Sequence, residues 1–320
     1  MIYISPTGGN GMAKVFVDGS AGTTGLRIFE RLEGRKDIEL IRLSEELRKD
    51  TEARREALNS CDAAFLCLPD DAAREAVSMV EDPNVVIFDT STAHRTSEGW
   101  VYGFPELSDA QYEAVKNSKR IAVPGCHASG FVALVRPLVD EGLISKDAKL
   151  VCHSLTGYSG GGKKMIAEYE ADEVSELLGA PRQYGLTQKH KHLPEMKAVC
   201  GLENAPVFCP IVAPFYSGME VTVALFSDML ADGAGIEALK EVYRRRYSSG
   251  LVYYTDEDED GFMSAAYLSR KDRMAVTVTG NDERILLVSR FDNLGKGASG
   301  AAVECMNIVF GLPPETGLEL

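Results

Sequence analysis

The chain has 320 residues, 45% hydrophobic and 26% charged, with a formal net charge of −14. Those fractions describe a soluble globular protein and exclude a disordered or fibrous one. Its length exceeds what one hydrophobic core serves, no run approaches the ~20 apolar residues of a membrane span, and the acidic balance excludes nonspecific binding to nucleic acid or anionic membrane.

Residues 1–11 lack the basic start and long apolar run of a secretory signal, and read as a tail upstream of Met12. Lys14–Asp18 is a buried strand, followed by a glycine turn and a helix over Thr24–Glu33. Strands are predicted at Ile38–Arg42, Asp62–Leu68, Val85–Asp89 and Arg120–Val123, with helices at 50–59 and Asp70–Val80. Strands alternating with helices at this spacing imply βαβ units, a parallel sheet and a Rossmann-like α/β domain.

After residue 126 the pattern changes. A helix is predicted over Ala128–Asp140, then strands at 148–155, 207–214, 219–227, 274–280 and 285–292, with helices near 164–178 and 235–247. Strands in succession predict an α+β domain with a mostly antiparallel sheet. The acidic run Asp256–Asp260 reads as a solvated loop. Ala298–Phe310 is an apolar helix stopped by Gly311 and two prolines.

Five segments carry chemistry. Gly19-Ser20-Ala21-Gly22-Thr23-Thr24-Gly25 joins a strand to a helix, where glycines admit a pyrophosphate and the helix N-terminus supplies N–H donors. The second strand ends in Arg42 and Ser44, where an NAD enzyme places an acid, and Arg48 and Lys49 follow. Cation and hydroxyl suit a 2′-phosphate, so NADP(H) is the expected cofactor. Pro124-Gly125-Cys126 precedes a helix, whose N-terminus lowers a thiol pKa and stabilises an oxyanion.

Lys189-His190-Lys191-His192-Leu193-Pro194-Glu195 holds two imidazoles and a carboxylate. In an extended segment His190 and His192 face one side, as an acid/base with an orienting partner. A metal is disfavoured, since no further ligands stand at the usual spacing. Thr156–Lys164, with Ser159, Gly160 and Lys163, reads as an anion-binding loop but not as a Walker loop. The seven cysteines are odd in number with no CxxC pair, which points to reduced thiols and the cytoplasm.

These segments, with Ser91–Thr96, Val101–Leu107 and Asn293–Gly300, resemble the aspartate-semialdehyde dehydrogenase-like reductases of acyl phosphates. Within them the chain is similar to the shorter of the two sequence types that act on N-acetylglutamyl phosphate. The likeness spans residue 14 to about 312, nearly the whole chain. It implies NADPH-dependent reduction of N-acetyl-L-glutamyl 5-phosphate to the 5-semialdehyde in arginine biosynthesis, through a thioester on Cys126. His190 is marginally favoured as acid/base, with His192 as its partner and Glu195 orienting an imidazole.

By family position Ser159, Gly160 and Lys163 line the substrate site, Arg95 is a candidate for phosphate or carboxylate, and Asn293 and Gly295 approach the nicotinamide. The likeness also implies a cofactor domain of residues 1–126 and 298–320, a catalytic domain of 127–297, and a homodimer or homotetramer. A sister enzyme for aminoadipyl or aspartyl phosphate, a Cys–His hydrolase or acyltransferase, and a non-catalytic NADP-binding regulator are the rival readings.

Overall fold

The computed structural model describes residues 11–20, 22–248 and 250–320. The reading of 1–11 as a tail, Gly11 apart, lies outside the described residues, as does Ala21 of the glycine turn. The chain divides into two compact units. Among the described residues, one comprises 11–105, 109–125 and 298–318, the other 106–108, 126–297 and 319–320.

The first unit contains, in chain order, β1 (Ala13–Asp18), α1 (Thr23–Leu32), β2 (Ile38–Ile41), α2 (Thr51–Ser60), β3 (Ala63–Leu66), α3 (Asp70–Ser78), β4 (Val86–Asp89), β5 (Val101–Tyr102), α4 (Asp109–Asn117) and β6 (Arg120–Ala122). All strand pairs are parallel, in the order β2-β1-β3-β4-β6-β5. Alternation along β1 explains the two layers. Val15 and Val17 face the cluster that holds Ile28 and Leu32 of α1, while Phe16 faces the one that holds Ala57 and Leu58 of α2. The strand order reverses between β1 and β3, the position where such sheets bind ligands beyond their carboxyl ends. The short β5 and the helix α4 were not anticipated; two residues give no alternation to read.

The second unit contains α5 (Cys126–Asp140), β7 (Val151–Gly157), α6 (Gly162–Tyr169), β8 (Arg182–Gln183), α7 (Leu193–Val199), β9 (Val207–Ala213), β10 (Met219–Phe226), α8 (Ile236–Arg246), β11 (Val252–Tyr254), β12 (Met274–Gly280) and β13 (Arg284–Phe291). Its seven-stranded sheet runs β11-β12-β13-β10-β7-β9-β8. Pairing is antiparallel except at β7–β9 and β11–β12, so the sheet is mixed but mostly antiparallel. Helix α5 lies on the inner face. A Cβ on its Gly130 would meet Val221 Cγ2 at 2.5 Å, so the missing side chain lets the helix down onto the sheet. The last helix, α9 (Gly300–Val309), is buried in the first unit's core with Val15 and Phe65.

Three expectations are corrected. The helix expected over 164–178 ends at Tyr169. None of its residues is buried and 170–177 are exposed, so no burial against the core carries the helix onward. His190 and His192 are not extended: His192 has helical dihedrals as N-cap of α7, and Leu193 N–H donates to the His190 carbonyl. The acidic run is not merely solvated. Glu259 pairs with the buried Arg290, and Asp256 bonds Arg244 at 3.0 Å. A buried guanidinium needs such partners.

Candidate active site

At the end of β1 the chain turns at Gly19, whose φ is +85°. A Cβ there would lie 2.3 Å from the Cys67 carbonyl oxygen, and one on Gly25 would lie 2.4 Å from the Gly19 carbonyl oxygen. Only glycines let the turn fold so tightly against the end of β3. Gly22 caps α1 without a side chain, so the N–H groups around Thr23 and Thr24 remain for an anion.

Beside this turn lies a cavity of about 400 Å³, walled in part by Gly19, Ser20, Phe29, Arg42, Arg48, Lys49 and Arg54. Arg42 lies 4.5 Å over the Phe29 ring and bonds Glu33 at 2.8 Å; Arg48 bonds Glu45 at 2.8 Å. Ser44 is not on this wall. Its carbonyl instead accepts from Leu47 and Arg48 N–H, both at 3.0 Å, and that turn carries Arg48 to the cavity. Arg54 bonds Asp18 Oδ2 at 3.0 and 2.9 Å. A glycine cradle, a helix start and a cation-lined cavity whose lining acids Asp18 and Glu45 are paired with Arg54 and Arg48 fit a phosphorylated dinucleotide.

In the second unit Cys126 is the first residue of α5, half-buried. The main chain at Gly297 passes so close that a Cβ there would lie 3.1 Å from Cys126 Cβ. Next to the thiol, His127 is buried, with Nδ1 2.6 Å from Ser154 Oγ and Nε2 2.7 Å from Tyr184 Oη. Its ring centroid lies 5.9 Å from His190 and 5.6 Å from His192, which are themselves 4.8 Å apart. A turn, rather than a strand, brings the two imidazoles of the HxH segment together.

Burial, with the charges of His190 and Lys191 behind it, pushes the His127 pKa down to about 3. Burial and Lys191 also lower that of His190. Both rings are therefore held neutral at ordinary pH. The His192 N–H donates to His190 Nδ1 at 3.2 Å, which leaves the neutral ring's proton on Nε2. His190 is half-buried, whereas His192 and Glu195 are buried.

The loop after β7 places Ser159 in the interior and leaves Gly160 and Lys163 exposed. Asn293 ties this loop down: its Nδ2 donates to Ser159 Oγ at 2.9 Å, and its Oδ1 accepts from Gly218 N–H at 2.9 Å. Gly295 N–H donates to Asp292 Oδ1 at 2.9 Å, and a Cβ there would strike the Lys271 carbonyl oxygen at 2.2 Å. The structure thus brings Cys126, the imidazoles, Ser159 and Asn293 into one unit, and puts the glycine turn, Arg42 and Arg95 in the other. Arg95 spends two donors on main chain, Nε on the Val123 carbonyl and Nη2 on that of Thr90, both at 2.9 Å.

Sequence reasoning missed several polar groups. His127, Tyr184 and Ser154 lie far apart in sequence, and only the adjacency of His127 to Cys126 could have flagged one of them. Asp292 accepts from Ser217 Oγ and Arg270 N–H, both at 2.6 Å, besides the turn it starts. Lys296 Nζ is fully buried 2.5 Å from Glu106 Oε1. In the first unit His94 Nδ1 meets the buried Asp89 at 2.6 Å and stacks on Trp100.

Residues 126–293 match the semialdehyde dehydrogenase dimerisation domain, and residues 14–115 the semialdehyde dehydrogenase NAD binding domain. The chain is 44% identical over 319 residues to N-acetyl-gamma-glutamyl-phosphate reductase 2 of Nostoc sp., covering 95% of this chain and 99% of that protein. It is 45% identical over 304 residues to N-acetyl-gamma-glutamyl-phosphate reductase of Sinorhizobium medicae, covering 92% and 98%. Among solved structures it is similar to aspartate semialdehyde dehydrogenase II of Vibrio cholerae complexed with ASA, with TM-score 0.71, 15% identity and coverage of 93% and 98%. Aspartate semialdehyde dehydrogenase with NADP from Candida albicans gives TM-score 0.62 and 15% identity, at coverage of 93% and 98%. These two likenesses are of fold.

Proposed function

The chain belongs to the semialdehyde dehydrogenase family of oxidoreductases, and from that premise we propose that it reduces N-acetyl-L-glutamyl 5-phosphate to N-acetyl-L-glutamate 5-semialdehyde with NADPH, releasing phosphate, in arginine biosynthesis. The observation that carries this reading is the 44% identity over 319 residues with a reductase of that name. The cation-lined cavity beside Gly19 supports NADP(H), with Arg42, Arg48 and Lys49 toward the 2′-phosphate.

Cys126 is the nucleophile. Its sulfur bonds the acyl carbon while the acyl–oxygen bond to phosphate breaks, and phosphate departs with the electron pair, leaving a thioester. Main-chain N–H groups at the start of α5 stabilise the oxyanion. The bound nicotinamide supplies a hydride. His190, with its proton on Nε2, gives it to the carbonyl oxygen that gains charge, and takes it back as the C–S bond breaks and the thiohemiacetal releases the aldehyde and the Cys126 thiolate. His192 and Glu195, buried at the start of α7, orient it. Ser159, Gly160 and Lys163 hold the anionic ends of the substrate, with Asn293 fixing the loop.

The enzyme works in the cytoplasm with reduced thiols, as a homodimer or homotetramer. Supporting the assembly is the outer sheet face of the second unit, where Val151, Val207, Phe226 and Leu286 are exposed.

The test is NADP reduction by purified protein given N-acetylglutamate semialdehyde and phosphate, beside the aspartyl and N-acetylaminoadipyl semialdehydes. Turnover should need phosphate, favour the acetylglutamyl compound and vanish in Cys126→Ser with NADP binding retained. Preference for another semialdehyde, or turnover in Cys126→Ser, would reject the substrate or the nucleophile respectively.

A further inference from the structure

We infer that Glu45 is a specificity-determining residue of the cofactor cavity, and that the protein takes NAD(H) as well as NADP(H). The Glu45 carboxylate accepts the ribose 2′-hydroxyl of the first, while its partner Arg48 turns to the 2′-phosphate of the second. This rests on the reading that the cavity beside Gly19 holds the dinucleotide with its 2′-position toward Arg42, Arg48 and Lys49.

Beyond the second strand of such a domain an acid suits the ribose 2′-hydroxyl, which donates a hydrogen bond, and a cation suits a 2′-phosphate. This chain has both at one place. Glu45 stands about 20 residues beyond the glycine turn, the interval at which dinucleotide folds carry the ribose acid. It lines the same cavity as Gly19 and Ser20 of that turn.

Among the described residues the cavity wall holds one other acid, Asp18, and that one is committed. It ends β1 and is buried, and its Oδ2 accepts from Nε and Nη2 of Arg54 at 3.0 and 2.9 Å. Glu45 is placed differently. The Ser44 carbonyl accepts from the N–H groups of Leu47 and Arg48, and in this turn Glu45 Oε2 meets Arg48 Nε at 2.8 Å. The two side chains are 78% and 41% exposed, so water screens the pair and opening it costs little. A carboxylate accepts at both oxygens and a guanidinium carries several donors, so neither group is exhausted by that bond.

Arg42 is held more firmly, 2.8 Å from Glu33 and 4.5 Å over the Phe29 ring. It gives the cavity a constant positive wall, and the Glu45–Arg48 pair is the part that changes with the ligand. A ribose hydroxyl donating to Glu45 makes a charge-assisted bond and leaves Arg48 where it is. A 2′-phosphate draws Arg48 away and then stands near an unpaired carboxylate of like charge. Glu45 therefore acts with opposite sign on the two cofactors, an effect that a packing role does not produce.

The test is fluorescence titration of the full chain with NADH and with NADPH, in the absence of acyl phosphate and inorganic phosphate. Wild-type protein should bind both. Glu45→Gln should weaken NADH about fivefold and tighten NADPH about threefold. Arg48→Gln should weaken NADPH about tenfold and leave NADH unchanged or tighter. Both side chains are exposed, so neither change disturbs the core. No NADH binding by the wild-type protein, a Glu45→Gln that moves both affinities in one direction or neither, or an Arg48→Gln that weakens both equally would each overturn the proposal. NADPH that binds tightly and falls in Arg48→Gln, beside NADH indifferent to Glu45→Gln, would sink this inference and keep the 2′-phosphate reading. NADPH indifferent to both variants would remove that reading and this inference with it. No turnover is read, so the substrate assignment stands or falls separately.

Discussion

At His127 a charge state is set first by burial, with the charges of His190 and Lys191 behind it. The sequence shows an ordinary histidine after a cysteine; the fold closes α5, β7 and Tyr184 around it and makes protonation costly. Its folded pKa is about 3 against an unfolded 6.5, so between those values the unfolded chain holds more protons. The resulting stability is full above about pH 6.5 and is lost as pH falls toward 3, by up to about 1.4 kcal/mol per pH unit. Urea unfolding at a series of pH values should show that slope, and His127→Gln should flatten it by about one proton's worth. An identical slope in the variant would show that the ring is not held neutral. Cys126 was legible from its Pro-Gly flank and the helix to follow. The place of Tyr184 was not, because its hydrogen-bond partner His127 lies 57 positions away.

Among elements, the β1–α1 turn was the most legible. A buried strand, spaced glycines and a helix leave one local solution, and Gly19 and Gly25 sit where a Cβ cannot. Gly25→Ala should destabilise the first unit by about 1–3 kcal/mol and weaken NADP binding, read by thermal unfolding and by fluorescence titration. Full retention of both would mean that the turn does not need the close approach. Helix α6 and the HxH segment were less legible for opposite reasons. Local pattern carries a helix on from Met165, but no core receives it past Tyr169. The imidazoles look extended until Leu193-Pro194 starts α7 and folds His192 back onto His190.

For the whole molecule, the net charge of −14 is distributed, not diluted. Acids at Asp256 and Glu259 answer Arg244 and Arg290, while Arg42, Arg48 and Lys49 line the cavity proposed for a phosphate. The mass of the assembly is testable on the open face of the second sheet. Phe226→Glu together with Val207→Glu should turn the proposed oligomer into a monomer by light scattering after size exclusion. An oligomer that survives both changes would place the interface elsewhere. Sequence alone determined the class of each unit, the strand, glycine turn and helix at the start of the first, and the helix that begins at Cys126. These rest on local periodicity and on short motifs whose chemistry needs neighbouring residues. Tertiary structure alone decided which polar groups are buried together: His127 with Ser154 and Tyr184, Asn293 with Ser159, Lys296 with Glu106. Such pairs join strands and loops distant in the chain, and the desolvation that sets their protonation exists only once the core has closed.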